Sequence, residues 1–419
     1  MVRNMVRYPD CAKEYDLVCL FRLEGAFDQA CLIRAFDDLI RRHAMLRTVI
    51  GLGEEGYEQH VHGSAVVNMA VRHWGDRRAH DVAEALAAER CGADEVLNGH
   101  PLFRPALHTT ADGVVLSVTL HHLIYDGWSL SVIWRDLSEF YAARTEGRSA
   151  RIDPLSFSYP DFVREQRRLW PERARRSMDF WRSTLAGAPP AVPWDPPAQW
   201  RPEGSTWQTF RREFGDACPG ALYAVRQVAR ENRISPSMVL LGATAAAVAH
   251  ATGQRDLLLG TDTAGRDGGK DAWNVVGHCV NMRVTRLRIE LADTPITLAR
   301  KAGEAWRASE PHHHVYEDRI LEVCGEPEPL KVNFAGTAGD EYEMPHLGHA
   351  VVTALDTPTP SHDRRPVKLR WHITGDGLRG SVTYRPAKVS ERAVSDLTSA
   401  LTSVIRELRT EAAEEDVRG

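Results

Sequence analysis

No apolar run in the 419 residues reaches the roughly 18 needed to cross a bilayer, and the opening MVRNMVRYPDCAKEYD lacks the apolar stretch of a signal peptide. Cysteine supplies no framework. The seven, at positions 11, 19, 31, 91, 218, 279 and 324, are odd in number and include no CxxC pair, which argues against a secreted disulfide scaffold and a structural zinc site. No basic domain or stripe stands out against a net charge of -5, so nucleic acid is not an expected partner. The small cluster Arg164, Arg167, Arg168 and 173–176 lies among acids and aromatics and reads as a solvated helix face. The turn Gly260–Arg266 lacks GK[ST] of a phosphate loop, Ser129 lacks a GxSxG context, and His312-His313-His314 lacks HExxH spacing. These absences leave no expected metal, membrane or nucleotide site, and a reducing cytoplasm as the expected location.

What remains is an ordinary globular composition, 43% hydrophobic and 26% charged, with enough chain for a core of normal size. Residues 16–24 read as a strand. Asp28 then caps a helix whose Phe27 and Leu32 have the spacing of a hydrophobic staple. Strands are expected near 59–62 and 67–73, a helix over 79–96, and a strong alternating strand over 114–120, followed by amphipathic helices near 129–144 and 159–185. Six prolines within 186–205 exclude helix and central strand there and mark an extended crossing. Beyond it the pattern restarts, with a strand near 207–214 and a helix near 219–233. A second helix is capped by Ser235 with Pro236 at its first position, is apolar nearly all round, and should be buried. Residues 366–374 and 378–384 flank a hairpin signal at 375–377, and Ser390 starts the last helix. The expected fold is therefore α+β, in two lobes, 1–175 and 176–419.

The most informative stretch is His121-His122-Leu123-Ile124-Tyr125-Asp126-Gly127-Trp128-Ser129, where a strand ends and a turn begins. Successive strand side chains alternate, so His122 continues the face of Leu116, Val118 and Leu120, and His121 that of Ser117 and Thr119. The two imidazoles must differ in role. A pKa near 6.5 suits histidine to proton transfer. Asp126 either orients an imidazole or pairs with a cation to lock the loop. Gly127 permits a backbone geometry closed to other residues.

HHLIYDGWS resembles the HHxxxDG signature of nonribosomal peptide synthetase condensation domains, within the chloramphenicol acetyltransferase-like superfamily. Further motifs follow in order. Arg42-His43-Ala44-Met45-Leu46-Arg47-Thr48 is similar to RHxxLRT and Tyr159-Pro160-Asp161-Phe162 to YxDF. Val276–Asn281 resembles G-x-x-V-N, and Val332-Asn333-Phe334 the later Asn-bearing strand. The resemblance covers about residues 15–408.

The resemblance implies two chloramphenicol acetyltransferase-like lobes in a V-shape, with a central tunnel. It implies acyl transfer from a thioester on the phosphopantetheine of an acyl or peptidyl carrier protein to a small-molecule amine or hydroxyl. His122 is the implied catalytic histidine, acting as general base or positioning the nucleophile, and Gly127 N–H the implied donor to the oxyanion. His121 and Asp126 are implied to be structural, with Arg47 the first candidate partner of Asp126 and Arg42 the second. Asn333, Trp128 and Ser129 are expected along the substrate tunnel. No cofactor or metal of the chain's own is required. The chain departs from the family where an opening SxAQxRMW-like motif is missing, where Glu165 stands in place of a tryptophan, and where HHHVYEDRI replaces HQDxPFE. No adenylation or carrier domain is attached, so both are expected as separate polypeptides. Two other readings compete: a coenzyme A-dependent acyltransferase of the same superfamily, although the DFGWG segment of plant-type members is missing, and a non-catalytic module that docks on carriers.

Overall fold

A computed structural model describes all residues except 55, 64–68, 197–208, 215–219, 267–268, 326, 336–343, 356–364, 375–376 and 419. The chain divides into two compact units, and the division is not the single cut expected at 175/176. The first unit takes residues 1–166 and two later segments, 266–279 and 339–362. The second takes the rest. The later segments belong to the first unit because 266–279 wraps the HHxxxDG turn and a downstream strand joins the first sheet.

In the first unit, helix α1 (Val2–Arg7) leads to strand β1 (Asp16–Glu24) and helix α2 (Gln29–Arg42). Asp28 caps α2 as the sequence indicates, its carboxylate accepting from Cys31 N at 2.8 Å. Strands β2 (Thr48–Gly53) and β3 (Gly56–Val61) form a separate hairpin, and β4 (Ala70–His73) follows. The helix expected over 79–96 is two, α3 (Ala79–Ala88) and α4 (Ala93–Leu97). The break has a tertiary cause. Arg90 donates to the carbonyls of Lys13 and Asp16, and Cys91 N donates to the Asp16 carboxylate, pulling the chain out of helical register.

Strands β5 (Phe103–Thr110) and β6 (Gly113–His121) then lead into helix α5 (Gly127–Glu146), and α6 (Tyr159–Leu185) contains the unit boundary. The sheet order is Val351–Ala354, β1, β6, β5, β4. The alternation in β6 sorts its two faces: Leu116, Val118 and Leu120 join the main core of this unit beneath α2 and α5, whereas Val115 joins a smaller cluster under α3.

The second unit builds a six-stranded sheet from β7 (Phe210–Phe214), β8 (Asp256–Thr263), β9 (Asn281–Arg288), β10 (Leu330–Ala335), β12 (Val367–Thr374) and β13 (Gly377–Tyr384), β11 being the Val351–Ala354 strand above. Its order is β7, β13, β12, β10, β8, β9, with parallel pairing only where β10 meets β12 and β8. Strands β12 and β13 pair antiparallel from Thr374 and Gly377 outward, the arrangement the hairpin signal indicates. Helices α7 (Ala221–Glu231), α8 (Pro236–Thr252), α9 (Pro295–Ser309), α10 (Glu317–Val323) and α11 (Glu391–Arg418) complete the unit. Helix α8 is buried nearly all round, as its composition requires, and Ser235 caps it. Part of the proline-rich crossing, 197–205, lies outside the described residues. Among the described residues no single helix is long and apolar enough to cross a membrane.

Candidate active site at the end of strand β6

Strand β6 ends at His121, and helix α5 starts six residues later with Asp126 as its N-cap. The turn between them aims the two histidines differently. His121 is fully buried. Its Nδ1 accepts from Leu123 N at 3.2 Å, so its proton sits on Nε2, which has no hydrogen-bond partner among the described residues. Burial pulls its pKa down to about 4 against the opposing pull of Asp16, leaving the ring neutral.

His122 is half-buried. Its backbone N–H is tied to the Tyr15 carbonyl at 2.7 Å, and its ring stacks on Tyr125 with centroids 4.7 Å apart. Nδ1 lies 2.9 Å from the Tyr125 carbonyl oxygen. A carbonyl only accepts, so the proton belongs on Nδ1 and Nε2 is the basic nitrogen. His278 meets this ring edge-on, with centroids 5.1 Å apart. Burial first, then His122, lowers the His278 pKa to about 3, against Asp126 and the Tyr125 carbonyl, so the pair does not carry two charges.

Asp126 has no part in orienting His122. Arg266 grips its carboxylate through two bonds of 2.8 Å, and Cys279 N and Ser129 N add bonds at 3.0 and 2.9 Å. Burial alone would raise this carboxyl. The bonds from Arg266 and Ser129 outweigh it and hold the pKa below the usual carboxylate range. The partner is thus neither Arg47 nor Arg42. Arg47 donates to the His62 carbonyl on the chain beyond β3. Arg42 is bound to Asp136 of α5 at 2.9 Å, beside His43. Both arginines are closer in sequence to the motif, but they sit at the C-terminal end of α2 and just after it, where α5 supplies a different acid.

Two further expectations change. Ser129 does not line a substrate passage: fully buried at the third helical position, its hydroxyl is 2.7 Å from Asp126 Oδ1 and accepts from Gly277 N at 3.1 Å. Gly127 does not use a left-handed backbone, since it begins α5 and is not among the glycines of positive φ. At that first position its N–H is one of the four with no intrahelical acceptor, at the positive end of the helix dipole. Trp128 donates to the Trp273 carbonyl at 2.8 Å and packs edge-on against that ring. The Tyr159 and Gly277 motifs prove to be one contact: a Cβ at position 277 would lie 2.0 Å from the Tyr159 ring. In the second unit, Asn333 donates to Asp262 at 2.9 Å and Asp262 also pairs with Lys331 at 2.7 Å. Among the described residues no cluster of His, Cys, Asp or Glu could hold a metal. His312 instead stacks on Phe180, and Ser177 lies between it and His314.

Residues 10–328 match the family "Condensation domain". The chain belongs to the condensation domain family. Malpinin synthetase of Mortierella alpina is 28% identical over 403 residues, 89% of this condensation domain and 5% of that protein. Phosphinothricin tripeptide synthetase PhsC of Streptomyces viridochromogenes is 34% identical over 267 residues, 61% of this chain and 24% of that one. The chain therefore spans under a quarter of the length of these curated relatives. The crystal structure of the X-domain from teicoplanin biosynthesis shares the fold, with a TM-score of 0.81 at 20% identity over 98% of this chain and 93% of that one. The α+β, chloramphenicol acetyltransferase-like architecture is thus that of condensation domains.

Within this condensation domain, sequence reasoning missed Arg266, Tyr125 and His278. Arg266 ends a strand-end turn, and a lone arginine at a turn was the only available signal. His278 occupies an unspecified position of G-x-x-V-N, and only folding brings it beside His122.

Proposed function

We propose that this chain transfers an acyl or aminoacyl group from a carrier-protein phosphopantetheine thioester to an amine or hydroxyl acceptor. The observation that supports the reading best is the 2.9 Å contact of His122 Nδ1 with the Tyr125 carbonyl, which makes Nε2 the proton-accepting nitrogen. The acceptor's lone pair attacks the thioester carbonyl carbon while its proton passes to Nε2. The Gly127 N–H stabilises the oxyanion of the tetrahedral intermediate. Collapse breaks the C–S bond, and the departing pantetheine thiolate takes the proton from His122. Asp126 and Arg266 fix the turn that presents these groups and exchange no proton.

The test is intact-mass analysis of products from an acyl-loaded carrier, a panel of amines and alcohols, and the purified chain. Transfer should occur and should fall about 10²–10⁴-fold in His122→Ala, the range general base catalysis supplies. Unchanged transfer in that variant defeats the assignment. Equal rates with the free acyl-coenzyme A, without carrier, would mark a coenzyme A-dependent enzyme instead.

A further inference from the structure

The face of β6 turned away from the main core carries a second site. Ser117 and Thr119 lie at the base of a cavity of about 490 Å³, walled by Leu86 of α3 and Phe103 of β5. The hydrogen-bond directions at its base are fixed by chemistry. The Trp74 indole N–H, which only donates, reaches His108 Nδ1 at 3.0 Å. His108 Nδ1 must accept, so its proton is on Nε2, 2.8 Å from Ser117 Oγ. His108 is fully buried, and burial lowers its pKa to about 4, which keeps it a neutral, one-proton ring. Ser117 therefore accepts from His108 and keeps its own hydroxyl proton, for which no acceptor is present among the described residues. Ser117 is 4% exposed and lines the cavity, so that donor is buried and unpaired. Thr119, two residues along the same face, also has a hydroxyl with no side-chain hydrogen bond among the described residues. Around them the lining carries three arginines, 72, 90 and 104, against two glutamates, 89 and 95. Two of these arginines are already paired, Arg72 with Glu89 at 3.5 Å and Arg104 with the buried Asp16 at 2.8 Å, whereas Arg90 donates only to backbone carbonyls, those of Ala87, Lys13 and Asp16, and has no carboxylate partner among the described residues.

A cavity of this size with partly apolar walls, two hydroxyl donors on one face and Arg90 as a cation without a carboxylate partner suits an acceptor-bearing anion. We propose that it binds a small carboxylic acid with an apolar body, its carboxylate accepting hydrogen bonds from Ser117 and Thr119. The site is separate from the acyl-transfer reading and does not require it: the relay Trp74–His108–Ser117 ends in a donor, not a base, so it binds without reacting.

The probes are 4-fluorobenzoate and its neutral counterpart 4-fluorobenzyl alcohol, followed by ligand-observed ¹⁹F NMR on the full chain. Saturable binding of 4-fluorobenzoate is expected, at least tenfold tighter than the alcohol. Ser117→Ala and Thr119→Val, each checked for folding by circular dichroism, should each weaken it about tenfold or more. His122→Ala should bind as the parent does, which separates this site from the transferase centre. No saturable binding, equal binding of the alcohol, or binding unaltered in both hydroxyl variants overturns the proposal. Should one variant fail to fold, the other decides.

Discussion

At the scale of single residues, the molecule spends its strongest electrostatics on holding a turn. Asp126 and Arg266 are both buried and joined by two 2.8 Å bonds. Taking two such charges out of water costs several kcal/mol, and that cost is offset only while both partners are present. Arg266→Ala should therefore destabilise the fold by about 3–5 kcal/mol, because it strands a carboxylate in the interior. Arg47→Ala, which removes one bond to a backbone carbonyl at a half-buried site, should cost about 1 kcal/mol or less. Urea denaturation of both variants checks the contrast, and a reversed order would restore Arg47 as the partner. The histidine pair and Asp126 were legible in the sequence because they fall within nine consecutive residues. Arg266 was not, because 140 positions separate it from Asp126 and no local pattern encodes that distance.

At the scale of elements, legibility followed the strength of local signals. Helix α8 announced itself through Ser235, Pro236 and an apolar composition, and Gly253 ends it in the left-handed conformation. The strand Val351–Ala354 gave no such signal: its residues are mostly exposed and do not alternate, and it is a strand only because β1 pairs with it. The single helix expected over 79–96 failed for a similar reason, since contacts from Arg90 and Cys91 to Asp16 override propensity. One element-level feature is open to a direct test. In α8, a Cβ on Gly242 would lie 2.4 Å from Ala299 N and 2.7 Å from Ala299 Cα in α9. Replacing an interior helical glycine by alanine favours the helix by about 1 kcal/mol. Here the obstacle is backbone, which yields only if two helices separate, at a cost of about 1–3 kcal/mol or more. Packing should win. Gly242→Ala is expected to lower the thermal midpoint, and a raised midpoint would show that α8 and α9 are less closely packed.

At the scale of the whole molecule, histidines held neutral by burial in both units should make the fold sensitive to mild acid. The first unit contains four histidines whose folded pKa values are depressed chiefly by burial, His108 and His121 to about 4, His278 to about 3, and His43 downward against the pull of Asp136; the second contains two, His312 and His372. In the unfolded chain each binds a proton near pH 6.5. Between these values the unfolded state holds more protons than the folded one, so the stability each neutral ring contributes is complete above about pH 6.5 and is lost as pH falls toward 4. His108, His121 and His278 can each add a slope of about 1.4 kcal/mol per pH unit within that window. The depressed carboxyl of Asp126 acts later: its contribution is present above the ordinary carboxylate pKa and disappears as pH drops through its lower folded value. The fold should therefore begin to lose stability well before its carboxylates titrate. Urea midpoints measured at pH 7.5, 6.5, 5.5 and 4.5 should fall progressively below pH 6.5, and His108→Gln should flatten part of that fall. A constant midpoint down to pH 4.5 would mean that these rings are accessible to protons in the folded state, and the tautomers assigned to His108 and His121 would no longer hold.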